Sequence, residues 1–79
     1  MSLDEWGEYV VYGSDKIRVI RSYRVYSEKG ELVSTGREEE TIPVREGMDV
    51  EEELRKARKR LDEKIEMRRR EITSKRGRG

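Results

Sequence analysis

The chain has no cysteine, no histidine, no asparagine and no glutamine, and its 79 residues hold one proline and one tryptophan. Without cysteine no disulfide can staple the fold, and without cysteine and histidine the usual zinc ligand sets are missing. No apolar run approaches the ~20 residues needed to span a bilayer, and no secretory leader is visible, so a soluble cytoplasmic protein with no membrane partner is expected. Gly-rich phosphate loops and nucleophile motifs are absent as well. The carboxylates make no convincing acid–base pair, because the Glu runs fall at an expected strand edge and helix start. These absences argue against an enzyme and for a protein with no cofactor and no metal.

Apolar residues are scarce too. Only 32% of the chain is hydrophobic, so a single small domain has little to bury and often needs a partner. Oligomerisation is the remaining staple, with a dimer as its simplest form. Disorder is the competing explanation for 47% charged residues. Against it, the 19 basic and 18 acidic residues nearly balance, and the apolar positions are patterned. Dense Glu, Arg and Lys without Asn, Gln or Cys fits a thermophile-type, archaeal-like surface of ion-pair networks.

The charge is unevenly placed. Residues 1–54 carry 7 Lys/Arg against 14 Asp/Glu, whereas residues 55–79 carry 12 against 4. Such polarity suggests head-to-tail self-association or a basic region aimed at a polyanion.

One stretch has an unambiguous period. Val50, Leu54, Ala57, Leu61, Ile65, Arg68 and Ile72 fall on one helical stripe. Asp49 can cap its start and Glu52 complete a capping box. Glu51–Glu53 and Arg68–Arg70 suit the two ends of the helix dipole. A helix is predicted from Asp49 to about Thr73, with residues 74–79 (Ser74, Lys75, Arg76, Gly77, Arg78, Gly79) as a disordered basic tail.

Before the helix the chain reads as strands, with Met1–Glu5 frayed. Trp6–Tyr12 is rich in Tyr and Val, Gly13–Lys16 is a turn, and Ile17–Ser27 is the best strand. With Tyr12 opposite Ile17, Val10 meets Val19, Glu8 meets Arg21 and Trp6 meets Tyr23. One face then gathers Trp6, Val10, Tyr12, Ile17, Val19, Tyr23 and Val25 as the core face. Glu28-Lys29-Gly30 reads as a hairpin loop with Gly30 left-handed. A third strand begins at Glu31, and Gly36 marks a bulge or bend. Arg37–Val44 is either its continuation or a fourth strand, confined to an edge by Pro43. The fold class is therefore α+β: an antiparallel meander of three or four strands followed by one long C-terminal helix, in a single domain over residues 1–73.

A helix of that length spans ~36 Å and a six-residue strand only ~20 Å. The helix should overhang its sheet, its far half with Leu61, Ile65, Met67 and Ile72 needing another surface, and Leu54, Leu61, Ile65, Arg68 and Ile72 are the candidate oligomer interface. Two surfaces are candidates for a polyanion. One is the uncovered sheet face with Tyr9, Arg18, Arg24 and Tyr26, and Arg37 nearby, where aromatic rings stack bases and guanidinium groups neutralise phosphates. The other is the helix end and tail, with Arg69, Arg70, Lys75, Arg76 and Arg78.

The segments Ile20-Arg21-Ser22-Tyr23, Glu28-Lys29-Gly30-Glu31-Leu32 and Gly36-Arg37 resemble part of the positive-cofactor family of single-stranded-DNA-binding transcription coactivators. The order of elements is similar in outline to small archaeal single-strand-binding proteins. The family resemblance implies a dimer that binds single strands on its sheet, with Arg21 and Arg37 touching DNA. The expectation is thus a dimeric nucleic-acid-binding protein, single-stranded DNA favoured over RNA or duplex. The alternative is a protein assembly or adaptor module that uses the helix stripe without nucleic acid.

Overall fold

The computed structural model describes the backbone of residues 1–78 and the side chains of residues 1–72. Strand β2 (Lys16–Tyr26) is the centre of the fold, flanked by β1 (Ser2–Tyr12) and β3 (Leu32–Pro43), both antiparallel to it. Helix α1 (Val50–Arg78) follows and covers one face of this three-stranded sheet. The side chains of the expected tail, from Ser74 onward, lie outside the described residues. No described helix is long and apolar enough to cross a membrane.

Alternation fixes what each face holds. Ile17, Val19, Tyr23 and Val25 of β2 point toward the helix and are buried, as is Ile42 of β3 opposite Ile17. From α1, Leu54, Ala57, Leu61 and Ile65 come down on them at helical spacing. Two apolar groups result: one of Ile17, Val19, Ile42, Leu54, Ala57 and Leu61, the other of Leu3, Tyr23, Val25 and Ile65.

The first hairpin has the expected register from Glu8 to Tyr12: Tyr12 meets Ile17, Val10 meets Val19 and Glu8 meets Arg21. Beyond Glu8 it shifts. Gly7 pairs with Ser22 and Glu5 with Tyr23, leaving Trp6 as the extra residue of a bulge. Trp6 therefore does not face Tyr23 on the core face. The bulge also carries β1 back to Ser2, and Leu3, expected to fray, is buried opposite Val25. The third strand is one continuous element, with its irregularity at the Leu32 end rather than at Gly36. Gly36 has a different task. The Tyr23 ring lies across it, and a Cβ there would come within 2.5 Å of that ring.

The turns behave as their residues require. Gly30 adopts φ +84° and closes the β2–β3 loop, with the Ser27 hydroxyl accepting from the Lys29 and Glu31 amides. Asp49 caps α1: its carboxylate accepts from the Glu52 amide at 3.2 Å. The reciprocal half of a capping box is not made, because the Glu52 carboxylate turns to Arg55.

The overhang expected at Leu61 and Ile65 is not found. Strands of 11 and 12 residues span roughly 36–40 Å, which matches α1 as far as Ile72 at roughly 34 Å. Leu61 and Ile65 are consequently buried against the chain's own sheet. Leu61→Ala removes a side chain with no exposure from a small core. It should cost about 2–5 kcal/mol in urea-induced unfolding, and a loss below 1 kcal/mol would mean that the stripe is not packed as described.

Candidate nucleic-acid interface on the open sheet face

The ion pairs between sheet and helix lie on the covered side of the sheet. On one flank of α1, Arg58 donates to Glu8 at 3.0 Å, and Arg69 donates to the Leu3 carbonyl at 2.8 Å and lies 3.8 Å from Glu5. On the other flank, Arg60 and Lys64 both reach Glu40, and Arg68 donates to Glu38 at 3.1 Å. Arg21, alone among the apolar residues of β2's inner face, sits between the flanks. It donates to Glu8 at 2.6 Å and also meets Glu5 and Asp62. The acidic first half of the sequence is thus bound to its basic second half within one chain.

These contacts set the carboxyl acidities. Burial pushes the Glu8 carboxyl up, but the hydrogen bonds and charges of Arg21 and Arg58 outweigh it and hold the group below its ordinary 4.5. Glu40 is likewise raised by burial and lowered further by Lys64 and Arg60, with a net depression.

The opposite face has no covering element. β2 presents Arg18, Ile20, Ser22, Arg24 and Tyr26 there, β1 presents Asp4 (opposite Arg24), Tyr9 and Val11, and β3 presents Arg37, Glu39 and Thr41. The bulge delivers Trp6 to this face, where the Arg24 guanidinium lies 4.7 Å from its ring centroid. Trp6 is 54% exposed and Tyr9 49%. Trp6 on the β1 side and Arg37 on the β3 side bound an open cleft of about 350 Å³, with Ser22 between them and Thr35 and Gly36 beside Arg37. Among the described residues, Arg24 and Arg37 make no ion pair.

The candidate residues therefore separate. Tyr9, Arg24, Tyr26 and Arg37 share the open face. Arg18 is on it too, but Glu39 holds it in a bidentate pair at 2.8 and 3.0 Å. That pair lowers the Glu39 carboxyl below its usual range. Arg69 is engaged with β1 and Glu66, and Arg70 with Glu66. The side chains of Lys75, Arg76 and Arg78 lie outside the described residues. Of the expected oligomer interface, Leu54, Leu61 and Ile65 are core residues, Ile72 packs beside them, and Arg68 is tied to Glu38 and Glu71. The stripe is occupied by the sheet of its own chain. Trp6 is the residue that strand alternation alone places on the wrong face. The signal for its true position is Gly7, since a glycine inside a strand often marks a bulge.

Comparisons with known protein families, with curated proteins and with solved structures return no match. The two arginines implicated by family resemblance lie on different sides of the sheet, Arg21 under the helix and Arg37 on the open face.

The depressed carboxyls have a stability consequence. Their folded pKa lies below the unfolded one, so Glu8 and Glu40 stabilise the fold above about pH 4.5 and lose that contribution as pH falls through their folded values. In thermal melts, Glu8→Gln should melt below the wild type near neutral pH and converge with it in strong acid. A constant gap across pH would show that the carboxylate charge is not what stabilises.

Proposed function

We propose that the open sheet face binds single-stranded nucleic acid, with DNA as the favoured form. The observation that carries this reading is Trp6 and Arg24 stacked together beside Arg37, which makes no ion pair among the described residues, with Tyr9 and Tyr26 on the same uncovered surface. Exposed rings offer π-faces to unstacked bases, and the two guanidinium groups, neither in an ion pair among the described residues, offer phosphate contacts, with Asp4 opposite Arg24 as the nearest cross-strand carboxylate. A duplex hides its base faces, so the surface favours single strands. The cleft between Trp6 and Arg37 is a place for one base to leave the stack.

Support for this face over the helix end is electrostatic. Arg58, Arg60, Lys64, Arg68 and Arg69 each have a carboxylate partner in the fold, and recruiting them would break a contact that holds α1 to the sheet. Arg24 and Arg37 carry no such cost.

Trp6 is the chain's one tryptophan, so its fluorescence reports on this face alone. Titration with a single-stranded oligonucleotide should quench it. Trp6→Ala, followed by anisotropy of the labelled oligonucleotide, should weaken binding by ~1–3 kcal/mol. Arg37→Ala should reduce the slope of log affinity against log salt by ~0.7. Arg70→Ala, at the helix end, should leave the affinity within twofold. Binding that proceeds without quenching, or that favours duplex, would remove the sheet face as the site.

A further inference from the structure

Both outer strands have backbone groups that lie outside the ladder of the sheet, but the two edges are not equivalent: on β3 the Glu39 carbonyl already accepts from Lys64 at 2.9 Å. We propose that β1 pairs with β1 of a second copy, antiparallel about a twofold axis at Val10, to make one sheet shared by two chains.

The hydrogen-bond phase of the hairpin selects this register. The Gly13 amide donates to the Lys16 carbonyl at 2.9 Å, closing the turn. Ladder bonds alternate from there, so Tyr12, Val10 and Glu8 occupy the wide, non-bonded positions against Ile17, Val19 and Arg21. Their own N–H and C=O groups therefore point outward from the edge. An antiparallel pairing centred on Val10 sets Val10 against Val10 and Glu8 against Tyr12, and uses every one of these groups. The bulge at Trp6 ends the regular edge just beyond Glu8, so the pairing segment is short and its register narrowly defined.

The side chains fit as well. On the open face Tyr9 meets Val11 of the other copy, an aromatic against a β-branched residue at close approach. On the covered face the Tyr12 hydroxyl comes opposite a Glu8 carboxylate and can donate to it. Tyr12 is 65% exposed and Val11 40% in the single chain, so both side chains have surface to bury at the seam. β3 is the poorer choice: pairing it with itself about Glu39 would oppose Glu39 to Glu39 and Glu38 to Glu40. Joining β1 to β3 head to tail would leave free edges and polymerise rather than close.

Sedimentation equilibrium of the full chain from micromolar to millimolar concentration should show the mass rise from one chain to two. Tyr9→Lys with Val11→Lys sets lysine against lysine across the seam and should weaken dimerisation at least tenfold, with circular dichroism confirming the fold. Because the chain has no cysteine, a second variant gives the register directly. Tyr9→Cys with Val11→Cys should oxidise to a covalent dimer, the opposed positions being close enough for a disulfide. Arg37→Cys with Thr41→Cys, which a β3 pairing about Glu39 would oppose, should stay monomeric on a denaturing gel. A wild type that remains a monomer at millimolar concentration overturns the proposal, as does cross-linking through β3 instead of β1. Neither result depends on nucleic acid, so failure here leaves the function of the open face to its own test.

Discussion

Leu54, Ala57, Leu61 and Ile65 lie along the sheet as a strip barely one side chain wide, seated on Ile17, Val19, Tyr23 and Val25. That contact is the main apolar burial available to a chain with so few hydrophobic residues, and the other features follow from it. So narrow a strip fixes the helix poorly against sideways rolling. The ion pairs supply this constraint: Glu5 and Glu8 hold Arg69 and Arg58 on one side, Glu38 and Glu40 hold Arg68, Arg60 and Lys64 on the other. Each exposed pair contributes little by itself, about 0–1 kcal/mol. Their value is directional, since only one placement of α1 satisfies both rows. Arg21, the most enclosed of these cations, ties the centre of the sheet to β1 and to Asp62 of the helix.

The same arrangement decides where positive charge remains free. A sequence acidic in its first two-thirds and basic in its last third looks prepared to attract a partner. Among the described residues, Arg58, Arg60, Lys64, Arg68 and Arg69 of the helix are paired with carboxylates of the sheet, so much of that attraction is internal. Among the described residues of the uncovered sheet face, Arg24 and Arg37 stay without an ion pair, beside the Trp6 ring. Local pairing, rather than net charge, sorts the candidate surfaces.

Much of this is legible in the residues themselves. The apolar stripe reveals the helix, its cap and its buried face. The opposition of Glu8 to Arg21 reveals the hairpin register, because a slip of one residue would strand both charges. Strand length is harder to read. Asp4 and Glu5 do not look like strand residues, yet they are in β1, where the Glu5 carboxylate meets Arg21 and Arg69. A tertiary contact overrides a local preference. Strands read as too short imply an overhanging helix, and the overhang implies a free surface at Leu61 and Ile65 that the fold does not leave open. Trp6 is misplaced for a different reason: one extra residue in β1 reverses the face of everything before it, and the bulge is marked only by Gly7.

Gly36 separates two environments with nothing but its own backbone. On one side it borders the open cleft beside Arg37, and on the other the Tyr23 ring rests directly against it. Tyr23 in turn packs with Leu3, Val25 and Ile65 of the core. At this point the sheet is a partition one backbone thick, with no side-chain layer to absorb a displacement. Pressure applied from the solvent side would reach an aromatic ring in the interior within a single contact. The molecule's open aromatic surface and its hydrophobic core are, at that residue, the two sides of the same wall.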